Sequence, residues 1–172
     1  MALDKISIYE KNLTRIHEWI RAVDQKLSVL MAIQGVYIVF ITPLFLSLLS
    51  RKYLHVGSLL AAGILVSYAV LAYGLLKCFI SLYSSLKVKG QSVTEDQLSL
   101  TYFNHIEKMT LENYKKKMRS LTSKKYDDEL LTQIHTSSTI ATKKHRRFND
   151  ALFLFIVGAL LSAITLCFLY LI

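Results

Sequence analysis

Residues 127–172 read DDELLTQIHTSSTIATKKHRR (127–147), FND (148–150) and ALFLFIVGALLSAITLCFLYLI (151–172). The first part is polar and increasingly basic, and the part from Ala151 onward carries no charge. At about 1.5 Å per residue, residues 151–172 are long enough to cross a hydrocarbon core of roughly 30 Å. One helix that starts in water and ends in lipid is therefore expected. It should begin at Asp127 or Asp128, whose carboxylates suit the positive end of a helix dipole. Lys143, Lys144, His145, Arg146 and Arg147 form a basic collar where the two halves meet. Ile134, Ser137 or Ser138, Ala141, His145, Phe148 and Leu152 are three or four apart and predict the stripe on which this helix packs.

Composition agrees with a membrane protein. Of the 172 residues, 53% are hydrophobic, and there is one proline and six glycines, too apolar for a small soluble domain and too poor in breakers for an all-β one. The net charge of +9 sits beside apolar segments, which points to lipid headgroups and topology rather than to a nucleic acid polymer. Cys78 and Cys167 lie within apolar stretches without metal-ligand spacing, so neither a metal site nor a disulfide is expected. Residues 1–26 are charged throughout, which argues against a cleavable leader.

Upstream, Ile6, Tyr9, Leu13, Ile16, Ile20, Val23, Leu27 and Leu30 alternate three and four apart. This heptad seam runs straight into the first span, 27–50. Gln34 interrupts that span and should face protein, either as an interhelical hydrogen-bonding group or as a pore-lining one. Pro43 predicts a kink, with Thr42 placed to satisfy the freed carbonyl. A short external loop, 51–56, leads to the second span, 57–82. There Gly57 and Ala61, then Gly63 and Ser67, are spaced for close helix approach, and Lys77 can snorkel to the headgroups. The small-residue faces at Gly63 and Ser67 and, in the third span, 151–172, at Gly158 and Ser162 suggest a homo-oligomer. The insertion 83–150 holds a capping-box spacing at Ser92–Glu95, an extended or irregular stretch from Leu98 to Asn104, and a helix capped by Thr110 that runs to about Leu121. On that helix Leu111, Tyr114, Met118 and Leu121 share one face. Lys115, Lys116, Lys117 and Arg119 form either a solvated basic face or a phosphate-attracting patch. Five Lys or Arg in 1–26 and thirteen in 87–150, against two in 51–56, put the N-terminus and the insertion in the cytosol and Ile172 outside.

No nucleophile elbow, P-loop, dinucleotide turn or metal motif occurs, so the chain is read as a non-enzyme without a cofactor. What remains is a polar set: Asn104 and His105; Gln133, Thr136, Ser137 and Ser138; Lys143 and Lys144; and Asp24 and Lys26 at the membrane edge of the first helix. Such side chains could bind a small anion that carries a heterocycle, or could staple the helices together.

Three patches carry a resemblance: Ala22-Val23-Asp24-Gln25-Lys26, Tyr102-Phe103-Asn104-His105-Ile106, and Asp128 through Gln133-Ile134 to Ser138-Thr139-Ile140-Ala141-Thr142-Lys143-Lys144. In residues and order they resemble the membrane effectors of the Pycsar anti-phage system. In the family pattern a Gly often precedes the His and an Asn precedes the Ser, where this chain has Asn104 and Ser137. The resemblance implies a bacterial inner-membrane effector that answers a cyclic pyrimidine mononucleotide, cyclic CMP or cyclic UMP, made by a partner cyclase. It then impairs the membrane, causing abortive infection. By the same resemblance Asp24, Lys26, His105, Gln133, Ser138 and Lys143 form the functional core.

The expected architecture is an all-α membrane protein with three transmembrane helices, whose N-terminal helix (1–26) and pre-TM3 helix extend the bundle into the cytosol. The rival reading is a ligand-independent anchor that docks a partner helix on its cytosolic heptad seam.

Overall fold

A computed structural model describes residues 5–52, 58–83, 100 and 103–171. Five helices follow in order: α1 (Lys5–Lys52), α2 (Ser58–Tyr83), α3 (Phe103–Glu107), α4 (Leu111–Arg119) and α5 (Ser123–Leu171). The described residues contain no strand, and three of the helices are long and apolar enough to cross a membrane. The chain is an all-α, multi-pass membrane protein. Residues 53–56 of the expected loop, Gly57 of the expected second span, the Ser92–Glu95 capping box and the side chain of Asn104 lie outside the described residues.

The chain divides into two compact units. One comprises Met1–Arg21 with Ser85–Lys143, and the other Ala22–Ser84 with Lys144–Ile172.

The second unit is a three-helix bundle built on heptad spacing. Along α2, Ile64, Ser67, Leu71, Gly74, Cys78 and Ser81 alternate three and four apart, and all six are buried. Val23, Leu27, Leu30, Gln34 and Ile41 continue the buried line on α1. Apolar clusters tie the helices together. Val23, Leu27 and Leu30 meet Cys78 and Ala151, and Ile41 and Phe45 meet Ile64 and Leu71. The pairs Asp24–Lys144, Gln34–Ala151 and Tyr37–Ser162 make α1 and α5 parallel, whereas Lys77–Asp150 and Thr42–Tyr68 make α2 antiparallel to both. Ala22, Tyr83 and Lys144 therefore share one end of this unit. Val36, Val39, Phe40, Leu65 and Phe153 stand on its outside, each at least 66% exposed, as a surface bathed in lipid requires.

Several expectations change in three dimensions. α5 begins at Ser123, not at Asp127 or Asp128, because the Tyr126 N–H donates to the Thr122 carbonyl (3.0 Å) and closes a turn one register earlier. Its buried line runs through Lys144 and Ala151 instead of His145 and Leu152: His145 is exposed and Ala151 fully buried. A strict three-four alternation continued from Ala141 reaches Lys144, Phe148 and Ala151, and packing follows that register although it buries a lysine. The Thr42 hydroxyl donates to the Ile38 carbonyl (2.7 Å), its own position four back, and pairs with the Tyr68 hydroxyl (2.8 Å). It therefore does not serve the Val39 carbonyl that Pro43 leaves free. Lys77 does not merely snorkel: its ammonium lies 3.4 Å from Asp150 and 5.4 Å from the centre of the Tyr73 ring.

The small residues are used within the chain. A Cβ on Gly158 would lie 2.8 Å from Leu71 Cγ and 3.4 Å from the Leu71 backbone nitrogen, and one on Gly63 would lie 3.3 Å from the Thr165 hydroxyl. Ser67 and Ser162 are fully buried. These faces join α2 to α5 in one protomer, so they are not an outward-facing oligomer surface.

In the first unit, Thr110 caps α4 by accepting from the Asn113 N–H (3.3 Å). Tyr114 and Leu121 pack against Leu100 and Met109, while Leu111 and Met118, expected on the same face, are exposed. On α1, Ile16 is buried and Ile6, Tyr9, Leu13 and Ile20 are half-buried, so the chain itself covers the N-terminal seam.

Gly158→Ala is expected to destabilise the bundle by about 1–3 kcal/mol, the usual effect of overpacking a tight contact. A lowered unfolding midpoint in detergent would register it, with Ala159→Gly as the control that leaves the close approach intact.

Candidate functional site

The candidate residues separate between the two units. His105, Gln133, Ser138 and Lys143 belong to the first, together with the backbone of Asn104. Asp24, Lys26, Gln34 and Lys144 belong to the second.

In the second unit, Asp24 and Lys144 are brought together. The Lys144 ammonium donates to both carboxylate oxygens at 2.5 and 2.6 Å. Lys144 occupies a seam position, and its side chain is only 4% exposed. Asp24 sits beside the seam on α1 and keeps about a third of its surface open, at 35%. A lysine buried at this depth needs a counter-charge, and Asp24 supplies it. Lys144, expected as a phosphate-binding cation beside Lys143, is thus already paired and enclosed. Lys26 is exposed.

Gln34 is fully buried deeper in the same unit, packed against Gly74 and Ala151. Its amide donates a long 3.5 Å bond to the Ala151 carbonyl, and its own carbonyl oxygen meets no partner among the described residues.

The first unit carries the rest. At 100° per residue, Gln133 and Ser138 are about 140° apart around α5 and flank its buried line on opposite sides. Both are half-buried, and Lys143 points outward, exposed. These residues therefore do not converge from one helix face. His105 is half-buried on α3. Burial, and then the nearby Lys108 ammonium, lower its pKa below the ordinary 6.5 and favour the neutral ring. A neutral imidazole suits the edge of a base better than a phosphate.

Sequence reasoning did not find the contacts that join α1 to α5 in this unit. The Tyr126 hydroxyl donates to the Glu10 carboxylate at 2.8 Å, and this bond, followed by desolvation, raises the Tyr126 pKa. The Ser137 hydroxyl lies 3.5 Å from His17 Nε2. The Leu100 N–H donates to Glu129 at 3.1 Å and ties this part of the insertion to α5. Glu10 and His17 are seven apart on α1, and that spacing was the available signal. Separately, a shallow surface groove on α1 is lined by Ser7, Glu10, Lys11, Thr14, Arg15 and Glu18, none of them a candidate residue.

Residues 8–171 match the family described as Pycsar effector protein domain. No curated protein and no solved structure matches the chain.

Asp24→Asn should cost about 2–3 kcal/mol, somewhat under the loss typical of a wholly buried pair because Asp24 is partly solvated. The double variant Asp24→Leu with Lys144→Met should recover most of that loss in the same thermal melt. His105 gives a pH dependence. Its folded pKa is depressed, so its contribution to stability is full above pH 6.5 and is lost as pH falls through the lower folded value. Amide protection factors in the insertion should fall as pH drops through that window, and His105→Gln should flatten the slope.

Proposed function

Because the chain belongs to the Pycsar effector family, a family of anti-phage defence effectors of the membrane rather than a known family of enzymes, we propose that it answers a cyclic pyrimidine mononucleotide by impairing the inner membrane. The observation that carries this reading is the family match over residues 8–171 of a chain with three spanning helices. The ligand would be cyclic CMP or cyclic UMP, made by a partner cyclase, and no cofactor is needed.

In this reading the nucleotide engages the polar unit. His105, with either Gln133 or Ser138 from opposite sides of α5, offers hydrogen bonds to base and sugar, and Lys143 offers an unburied cation for the phosphate. α1 and α5 each run without a break from polar sequence into apolar sequence. A ligand that binds one packing of the polar halves more tightly shifts the population of the whole helix pair. The basic collar and the charge bias orient the N-terminus and the insertion toward the cytosol, where the nucleotide is made. The rival anchor reading needs a free seam on α1, and that seam is already covered within the chain.

Calorimetry on detergent-purified protein should give saturable binding with cyclic CMP or cyclic UMP and none with the cyclic purine nucleotides. Because the candidates lie on separate faces, each is changed singly. Loss of one ligand hydrogen bond at Gln133→Ala or Ser138→Ala should weaken binding by about tenfold. In cells, dye uptake should require both this protein and the cyclase. Heat from neither pyrimidine nucleotide, with uptake unaffected by the cyclase, would defeat the reading.

A further inference from the structure

The spanning segments have an inverted polarity. Mid-span outer positions are aliphatic or aromatic, with Val36, Val39, Phe40 and Leu65 at least 69% exposed. The polar groups face inward: Gln34, Ser67, Ser81 and Ser162 are fully buried, and Thr165 is 8% exposed. Most find a partner. Ser67 donates to Ile64, Thr165 donates to Leu161, and Ser162 bonds both Tyr37 and Ala159. Two do not: the Gln34 carbonyl oxygen and the Ser81 hydroxyl meet no partner among the described residues. An amide carbonyl shut in a dry apolar interior carries a penalty of kilocalories that hydration would remove.

A route for water or ions through hydrocarbon needs a polar wall. The outer face offers little at mid-span beyond the Tyr73 hydroxyl, and the seam has five such residues on three helices. From this we propose that the seam through Gln34, Ser67, Ser81, Ser162 and Thr165 is the surface that becomes hydrated and lines the leak path when the effector is active. The proposal rests on the membrane-impairing function above and assigns its path. The unsatisfied groups at Gln34 and Ser81 bias the bundle toward that opening, while the dry packing at Leu71 and Gly158 opposes it. Three helices enclose no wide lumen, so parted seams of several copies form the wall.

The test uses full-length protein in dye-loaded vesicles, with Cys78→Ala and Cys167→Ala as background. Single cysteines replace Ser67, Ser162 or, as an outer-face control, Val39. With cyclic CMP or cyclic UMP added, dye release and labelling by a membrane-impermeant charged thiol reagent are followed together. Labelling at positions 67 and 162 should rise by about tenfold or more, as for a state passing from minor to major population, while position 39 stays unlabelled. Leak with labelling at 39, or with none at 67 and 162, overturns the seam path and leaves the nucleotide response standing. If neither nucleotide produces leak, the nucleotide reading falls, and Gln34→Arg without ligand decides the seam. A guanidinium keeps its charge when buried and has no carboxylate beside it at this depth among the described residues, so it draws water into the seam, and an inserted Gln34→Arg protein should leak while Val36→Arg does not. Inserted protein that stays tight overturns the proposal, and Ser67→Arg serves the same purpose if Gln34→Arg fails to insert.

Discussion

Polar groups on a helix that crosses lipid must find partners inside the protein, and this requirement organises the membrane unit. Every seam residue of α2 from Ile64 to Ser81 is buried, with serine, glycine and cysteine among them, while the opposite faces are left to the hydrocarbon. Lipid supplies no hydrophobic drive between helices, so close approach and hydrogen bonding must hold them. Gly158 against Leu71, Tyr37 with Ser162 and Thr42 with Tyr68 are the contacts that meet this demand. The same arrangement leaves Gln34 and Ser81 imperfectly served, which stores a preference for water in the driest part of the fold.

The Asp24–Lys144 pair applies the same rule with charge. A lysine at a seam position would oppose packing if it were alone, and a carboxylate on the parallel helix turns it into a cross-link. The pair fixes the register of α1 against α5 at the head of the apolar seams, since sliding either helix by one residue would strand a buried ammonium. Such a pair favours discrete arrangements of the two helices over gradual deformation.

In the polar unit, α1 and α5 are linked by Tyr126–Glu10 and His17–Ser137, contacts that are exposed and individually weak. The apolar clusters of the membrane unit are the more costly to disturb.

Much of this was legible in the residues. The uncharged run from Ala151, the three-four spacing from Ile6 to Leu30 and the cap at Thr110 specify helices, spans and one packed face through local pattern alone, because lipid thickness and helical period are fixed quantities. Composition could not say which of Lys144 and His145 turns inward: a helical stripe tolerates either, and the choice falls to a carboxylate far away in sequence on α1. Nor could it say that Ser67, Gly158 and Ser162 would be used within one chain, since small residues four apart look alike whether the facing helix is their own or another copy's. The separation of Gln133 and Ser138 around α5 follows from helical geometry. Which of their faces meets another element is decided only when the insertion and α1 pack around them.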